Sequence, residues 1–132
     1  MKKAKGFTLV ELVIVIVIVG ILSIVAVPIY RGYTRKAMAS EGRALLGTIQ
    51  TAQKVYYTEF ATFAAVPSFT NFTTIIDVDA RPNKYFRSFQ VSTAADAWTA
   101  ITTGTDSASG ISITLRGTRT GQPTWNDAGL NN

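Results

Sequence analysis

Glu11 is the only charged side chain between Lys5 and Arg31, in the stretch FTLVELVIVIVIVGILSIVAVPIY. A carboxylate there can do two things: cap a helix, or meet a cation. Thr8-Leu9-Val10-Glu11 fits the capping-box spacing, in which threonine and glutamate bond each other's backbone N–H groups at a helix start. A negative charge in a first turn also suits the helix dipole. That accounts for the geometry but not the location. An acidic residue at the middle of a membrane helix costs about 2.5–3.5 kcal/mol, less near its end, and is normally kept where a cationic partner meets it. Other reactive chemistry is thin. The chain has no His and no Cys, which removes the commonest general base, thiol nucleophiles, disulfides and thiolate metal sites. No Gly-rich phosphate loop is present, so the chain reads as a non-enzyme with no cofactor. Asp106, Asn126 and Asp127 could offer oxygen ligands, but no dense acidic loop of calcium-site spacing surrounds them, and solvated turns are the simpler reading.

The element that carries Glu11 is apolar. Residues 12–29 hold no charge and as a helix would extend about 27 Å, close to the roughly 30 Å hydrocarbon thickness of a bilayer. Seven consecutive β-branched residues, Val13 to Val19, favour strand instead. Magnitudes decide for helix: propensity penalties stay below about 0.7 kcal/mol per residue, whereas each unpaired backbone group in lipid costs several. Lys2, Lys3 and Lys5 precede the run. Without them ten basic residues face eight acidic ones, so the net charge of +5 is largely a leader property and gives little reason to expect nucleic acid. No A-x-A-like site follows the run, which disfavours an ordinary cleaved signal peptide. A plain signal anchor leaves Glu11 and Gly6 unexplained. Arg31, Arg35 and Lys36 balance the leader lysines, so the positive-inside rule does not orient the segment. Gly20 and Pro28 are its two helix-weakening residues, and Pro28 is expected to kink it.

Lys5-Gly6-Phe7-Thr8-Leu9-Val10-Glu11-Leu12 resembles the class III signal of type IV pilins and of type II secretion pseudopilins. The resemblance implies cleavage by a membrane prepilin peptidase between Gly6 and Phe7, N-methylation of Phe7, and an assembly role for Glu11. The cation missing from a single chain would then be the Phe7 amine of a neighbouring subunit in a filament core. In some members of that family the segment between residues such as Gly20 and Pro28 unwinds in the filament, and the same stays open here.

Beyond Pro28 the pattern becomes amphipathic. Met38, Leu45, Ile49, Ala52, Tyr56, Phe60 and Phe63 share one helical face, with Arg43, Gly47, Gln50, Lys54 and Thr58 opposite. One long helix from about Phe7 to Phe60 is expected. The periodicity fades over 61–83, where 74–78 suits either a short edge strand or a helical turn. A period of two then predicts strands at 85–91, 98–103 and 111–116, joined as an antiparallel meander. The tail from Thr118 reads as irregular, with Trp125 available to pin it. About fifty residues of strand and tail cannot bury much alone, so the helix must supply the second layer.

The expected fold class is therefore α+β: a long N-terminal helix packed on a small antiparallel sheet, as the pilin resemblance also implies. The expected organisation is a leader at 1–6, a transmembrane or filament-core helix at 7–29, an amphipathic helix at 30–62, an αβ-loop at 63–83, a meander at 84–117 and a tail at 118–132. The implied function is the major subunit of a type IV pilus serving adhesion, motility or DNA uptake. The alternative is a major pseudopilin of type II secretion. The implied partners are identical subunits in a helical filament, prepilin peptidase and the assembly machinery. The precursor would be single-pass in the inner membrane, and the product an extracellular pilus or a periplasmic pseudopilus. A DNA-capturing minor pilin ranks lower; Lys84, Arg87, Arg116 and Arg119 beside Tyr85 and Phe86 would have to form its basic, stacking surface.

Overall fold

The computed structural model describes residues 6–67 and 72–130. Of the leader only Gly6 falls among them, and the loop residues Ser68, Thr70 and Asn71 lie outside. One long helix, α1 (Leu9–Phe60), runs through Pro28 without interruption. The chain divides into two compact units, the first ending at Tyr33 and the second beginning at Thr34.

In the first unit no described residue is buried. The large apolar side chains of residues 9–29 are exposed throughout, from 44% at Val13 to 78% at Leu9. Such a surface is stable only against lipid or other apolar protein. Gly20 has nothing within 4 Å of where a Cβ would stand. Pro28 has no N–H to give the Ile24 carbonyl, and Ser23 Oγ donates to the Val19 carbonyl at 2.7 Å.

The second unit is the head, built on the C-terminal half of α1. Its buried helix positions are Ala39, Gly42, Leu45, Leu46, Ile49 and Gln53. The spine of that set, 39–42–46–49–53, is turned by about one residue from the expected face. Met38, Ala52 and Tyr56 are only partly buried, and Phe60 is 59% exposed. Close approach explains the turn. A Cβ on Gly42 would stand 2.8 Å from Ile113 Cδ1 and 2.9 Å from Phe86 Cδ1, so the helix docks through its small residues rather than its largest ones. Ala61 stops the helix in a left-handed conformation (φ 54), its N–H bonding the Tyr57 carbonyl at 2.9 Å.

The return of the chain is fixed by Gln53, a polar residue at 0% exposure. Its Nε2 donates to the Ala64 carbonyl at 2.7 Å, and its Oε1 accepts from the Ala64 N–H at 2.9 Å. Val66 then makes a single bridge to Val91. The ambiguous 74–78 segment resolves into a helical turn, α2 (Phe72–Ile75), followed by buried Ile76, Val78 and Ala80.

Four strands form one antiparallel sheet in sequence order: β1 (Gln90–Ala94), β2 (Ala97–Thr103), β3 (Ser112–Thr118) and β4 (Thr124–Ala128). Val91, Trp98, Ala100, Thr102, Ile113, Leu115 and Gly117 are the buried positions of the first three strands. Trp98 lies over Gly117, its cross-strand partner, where no side chain would fit.

Two expectations are corrected. The first strand begins at Gln90 rather than Tyr85. Ala94 pairs with Ala97 across a two-residue turn, which sets the register and draws Thr93 and Ala94 into the ladder. Residues 85–89 instead bond outside it, with Thr105 N–H reaching the Tyr85 carbonyl at 2.8 Å and Thr102 Oγ1 the Ser88 carbonyl at 2.6 Å. The tail, expected to be irregular, supplies β4. Trp125 does not pin it, being 44% exposed. Backbone pairing does so, from Ser112↔Ala128 to Arg116↔Thr124, together with two arginines of α1. Arg35 Nε donates to the Gly129 carbonyl at 2.8 Å, and the Arg43 guanidinium pairs with Asp127.

Candidate functional site

The sequence-predicted residues meet at the start of α1. Gly6, Phe7 and Thr8 precede the helix, and Leu9 opens it. Thr8 is its N-cap, and the capping box is closed: Thr8 N–H donates to Glu11 Oε2 at 2.9 Å, and Glu11 N–H donates to Thr8 Oγ1 at 3.2 Å. Thr8 Oγ1 also donates to Glu11 Oε2 at 2.8 Å, while Leu12 N–H reaches the Thr8 carbonyl at 3.3 Å. Both bonds from Thr8 fall on Oε2. Oε1 takes none from the described residues.

The Gly6–Phe7 peptide lies just outside the helix. Phe7 is 89% exposed, and nothing stands within 4 Å of a Cβ position on Gly6. A protease needs a peptide bond free of helical hydrogen bonds, and this one precedes the first residue of α1. Gly6, Phe7 and Glu11 thus occupy one short exposed segment; Gly20 and Pro28 lie further along α1, inside the helix.

The alternative sites fare differently. Phe86 is fully buried and cannot stack on a base. Lys84 Nζ lies 4.9 Å from the Tyr85 ring centroid, Arg87 Nε donates to the Asn83 carbonyl, and Arg119 approaches Asp96 at 3.7 Å. Asp127 pairs with Arg43 through Oδ2, and no group of three or more acidic residues that could hold a metal gathers among the described residues.

Sequence reasoning missed Glu41. Its Oε1 accepts from the Tyr85 N–H at 2.6 Å and the Phe86 N–H at 2.9 Å, tying the segment before β1 to the helix. Burial works against its charge, but the backbone donors of Tyr85, Phe86 and Lys84, helped by the Lys84 ammonium, hold the carboxyl below its ordinary value. Asp79 is held down to about 2 by the Arg81 side chain and N–H. It lies at the surface and its partner is two residues away, so this pair does little for the fold. Neither residue carried a sequence signal, because their partners are distant backbone groups or a local turn.

Comparison with known proteins bears on the same segment. The family model described as the prokaryotic N-terminal methylation motif matches residues 1–27. The type IV major pilin protein PilE1 of Neisseria gonorrhoeae is 53% identical over 53 residues, which cover 40% of this chain and 32% of the relative. A fimbrial protein of Moraxella nonliquefaciens is 46% identical over 52 residues, 39% of this chain and 34% of its own. The chain thus spans about a third of the length of these relatives. The fimbrial protein EcpC of Eikenella corrodens is 32% identical over 113 residues, covering 86% of this chain and 69% of the relative, so the likeness extends well into the head. An apolar helix opened by a Thr8–Glu11 capping box after Gly6-Phe7, an α+β head and a relative matched over most of both lengths agree: the chain belongs to the type IV pilin family, whose members are structural proteins rather than enzymes.

Proposed function

We propose that this chain is a major pilin, the repeating subunit of a type IV pilus. In this reading residues 7–29 anchor the precursor in the inner membrane. Prepilin peptidase removes Met1 to Gly6 and methylates the Phe7 amine, and the subunits then polymerise into an extracellular helical filament for adhesion, motility or DNA uptake. The observation that carries the reading is the exposed apolar surface of residues 9–29 beginning at a capped carboxylate, one of whose oxygens takes no bond from the described residues. Lipid can cover that surface before assembly and neighbouring helices after it. A head-to-tail contact that does not close on itself generates an open helical polymer. The Phe7 amine of a neighbouring subunit would meet Glu11 Oε1 in a dry core. The names of the relatives, a major pilin and fimbrial proteins, favour the pilus over the pseudopilus.

Two measurements test this. Intact mass of filaments sheared from cells is expected to give a subunit lacking Met1 to Gly6 and carrying one extra methyl group; an uncut chain would overturn the reading, and a processed chain confined to the envelope would move it to a pseudopilin. Glu11→Ala is expected to leave membrane insertion intact. Stripping one partner from a buried ion pair costs about 3–5 kcal/mol, so filament yield should fall on the order of a hundredfold or more. Wild-type yield would refute the pairing.

A further inference from the structure

We infer that the cleft between α1 and the β3–β4 hairpin binds an acidic sugar, a hydroxylated ring bearing a carboxylate. The cleft measures about 380 Å³, within the range of small-ligand sites. Gln50, Lys54 and Thr58 line it from α1 at helical steps of four, and the Thr118–Pro123 hairpin forms the facing wall. Phe63 and Trp98, both buried, make an apolar floor.

Its walls are fixed in advance. Gly121 N–H donates to Thr118 Oγ1 at 2.9 Å, Arg119 N–H donates to the Asp96 carbonyl at 3.2 Å, and Tyr57 packs on Phe63 with ring centroids 4.8 Å apart. A preformed cleft spares a ligand the cost of ordering loops.

Its charge is one-sided. Among the described residues no carboxylate lines it, while Lys54 and Arg119 do. Lys54 is exposed and has no ion-pair partner among the described residues; Arg119 meets Asp96 only at 3.7 Å and in solvent, a weak and exchangeable pair. An anion is the complement this arrangement lacks. The remaining groups narrow its chemistry. The amides of Gln50 and Gln122 and the hydroxyls of Thr118 and Thr120 offer both donors and acceptors, which ring hydroxyls use, beside the apolar surface of Phe63 and Trp98. Inorganic phosphate would use the amide N–H groups but leave the amide oxygens and the floor idle, and a neutral sugar would leave the Lys54 charge uncompensated.

The inference is independent of polymerisation, so a failed filament test leaves it standing. It is tested by ligand-observed NMR on the full chain in detergent micelles, titrated separately with galacturonate, galactose and inorganic phosphate. Galacturonate is expected to bind saturably with a Kd of about 1–10 mM, with the other two at least about tenfold weaker. Lys54→Gln, at an exposed site where folding is not at stake, should weaken galacturonate about tenfold, and Lys54→Arg should retain most of it. Phosphate binding as tight as galacturonate, no saturable binding of galacturonate, or indifference to Lys54→Gln would each overturn the assignment.

Discussion

Two glycines on one face-to-face helix should respond to substitution with opposite signs. A Cβ at Gly42 would stand 2.8 Å from Ile113 Cδ1 and 2.9 Å from Phe86 Cδ1, closer than carbon atoms tolerate, and both neighbours are fully buried. Gly42→Val must therefore push the helix off the sheet or force its neighbours from their rotamers. Overpacking of this kind costs about 1–3 kcal/mol, and a valine recovers only a few tenths through helix propensity. A net loss of about 2 kcal/mol is expected. For a head of this size 1 kcal/mol moves Tm by roughly 4–8 °C, so Tm should fall by roughly 10–15 °C. Gly47, five residues on in the same helix, has nothing within 4 Å of its Cβ position. Gly47→Ala should recover about 1 kcal/mol of helix propensity and raise Tm by roughly 4–8 °C. Thermal unfolding followed by near-UV circular dichroism, which reads the environment of buried Trp98, measures both. A Gly42→Val protein as stable as wild type would mean that the helix does not dock as closely as described, and the account of the shifted helical face would fail with it.

Two further outcomes follow from the polar groups that tie loops to the helix. Gln53→Leu leaves the Ala64 N–H and carbonyl buried and unpaired, and at about 1–3 kcal/mol for each lost partner the head should lose about 2–6 kcal/mol in denaturant titration; a change under about 1 kcal/mol would contradict the pairing. Glu41 has a lowered folded-state pKa, so its stabilisation is present above the ordinary value of 4.5 and is lost as pH falls through the folded value. Stability should therefore decline as pH drops below about 4.5, and Glu41→Gln should flatten that decline while Asp79→Asn, at an exposed site, should not.

The beginning of the chain was legible because its information is local. A capping box is a contact between residues three apart, an apolar run declares its own partner phase, and the Gly6-Phe7 junction precedes the helix as the Thr8–Glu11 spacing requires. The α+β class was legible too, since a 3.6-residue period giving way to alternation needs no knowledge of what packs where.

The head was legible only in outline. Periodicity identified an amphipathic helix but weighted its face toward large side chains, whereas the docked face is set by what lies opposite: Ala39 and Gly42 leave room for Phe86 and Ile113, and Gln53 is buried because Ala64 comes back to meet it. The aromatic run from Tyr85 looked like strand, yet Glu41, more than forty residues earlier, takes two of its N–H groups, and the tight turn at Ala95-Asp96 sets the register instead. Residues 124–128 carry little apolar alternation because they form an edge strand, held by β3 and by Arg43 on Asp127. By itself, then, the sequence determined the N-terminal methylation motif, the capped carboxylate and the apolar helix, which are local in the chain, and the two-layer class, which follows from the change of period. The helix face, the strand register, the ordered tail and the cationic cleft were decided by tertiary structure, because each depends on a partner far along the chain.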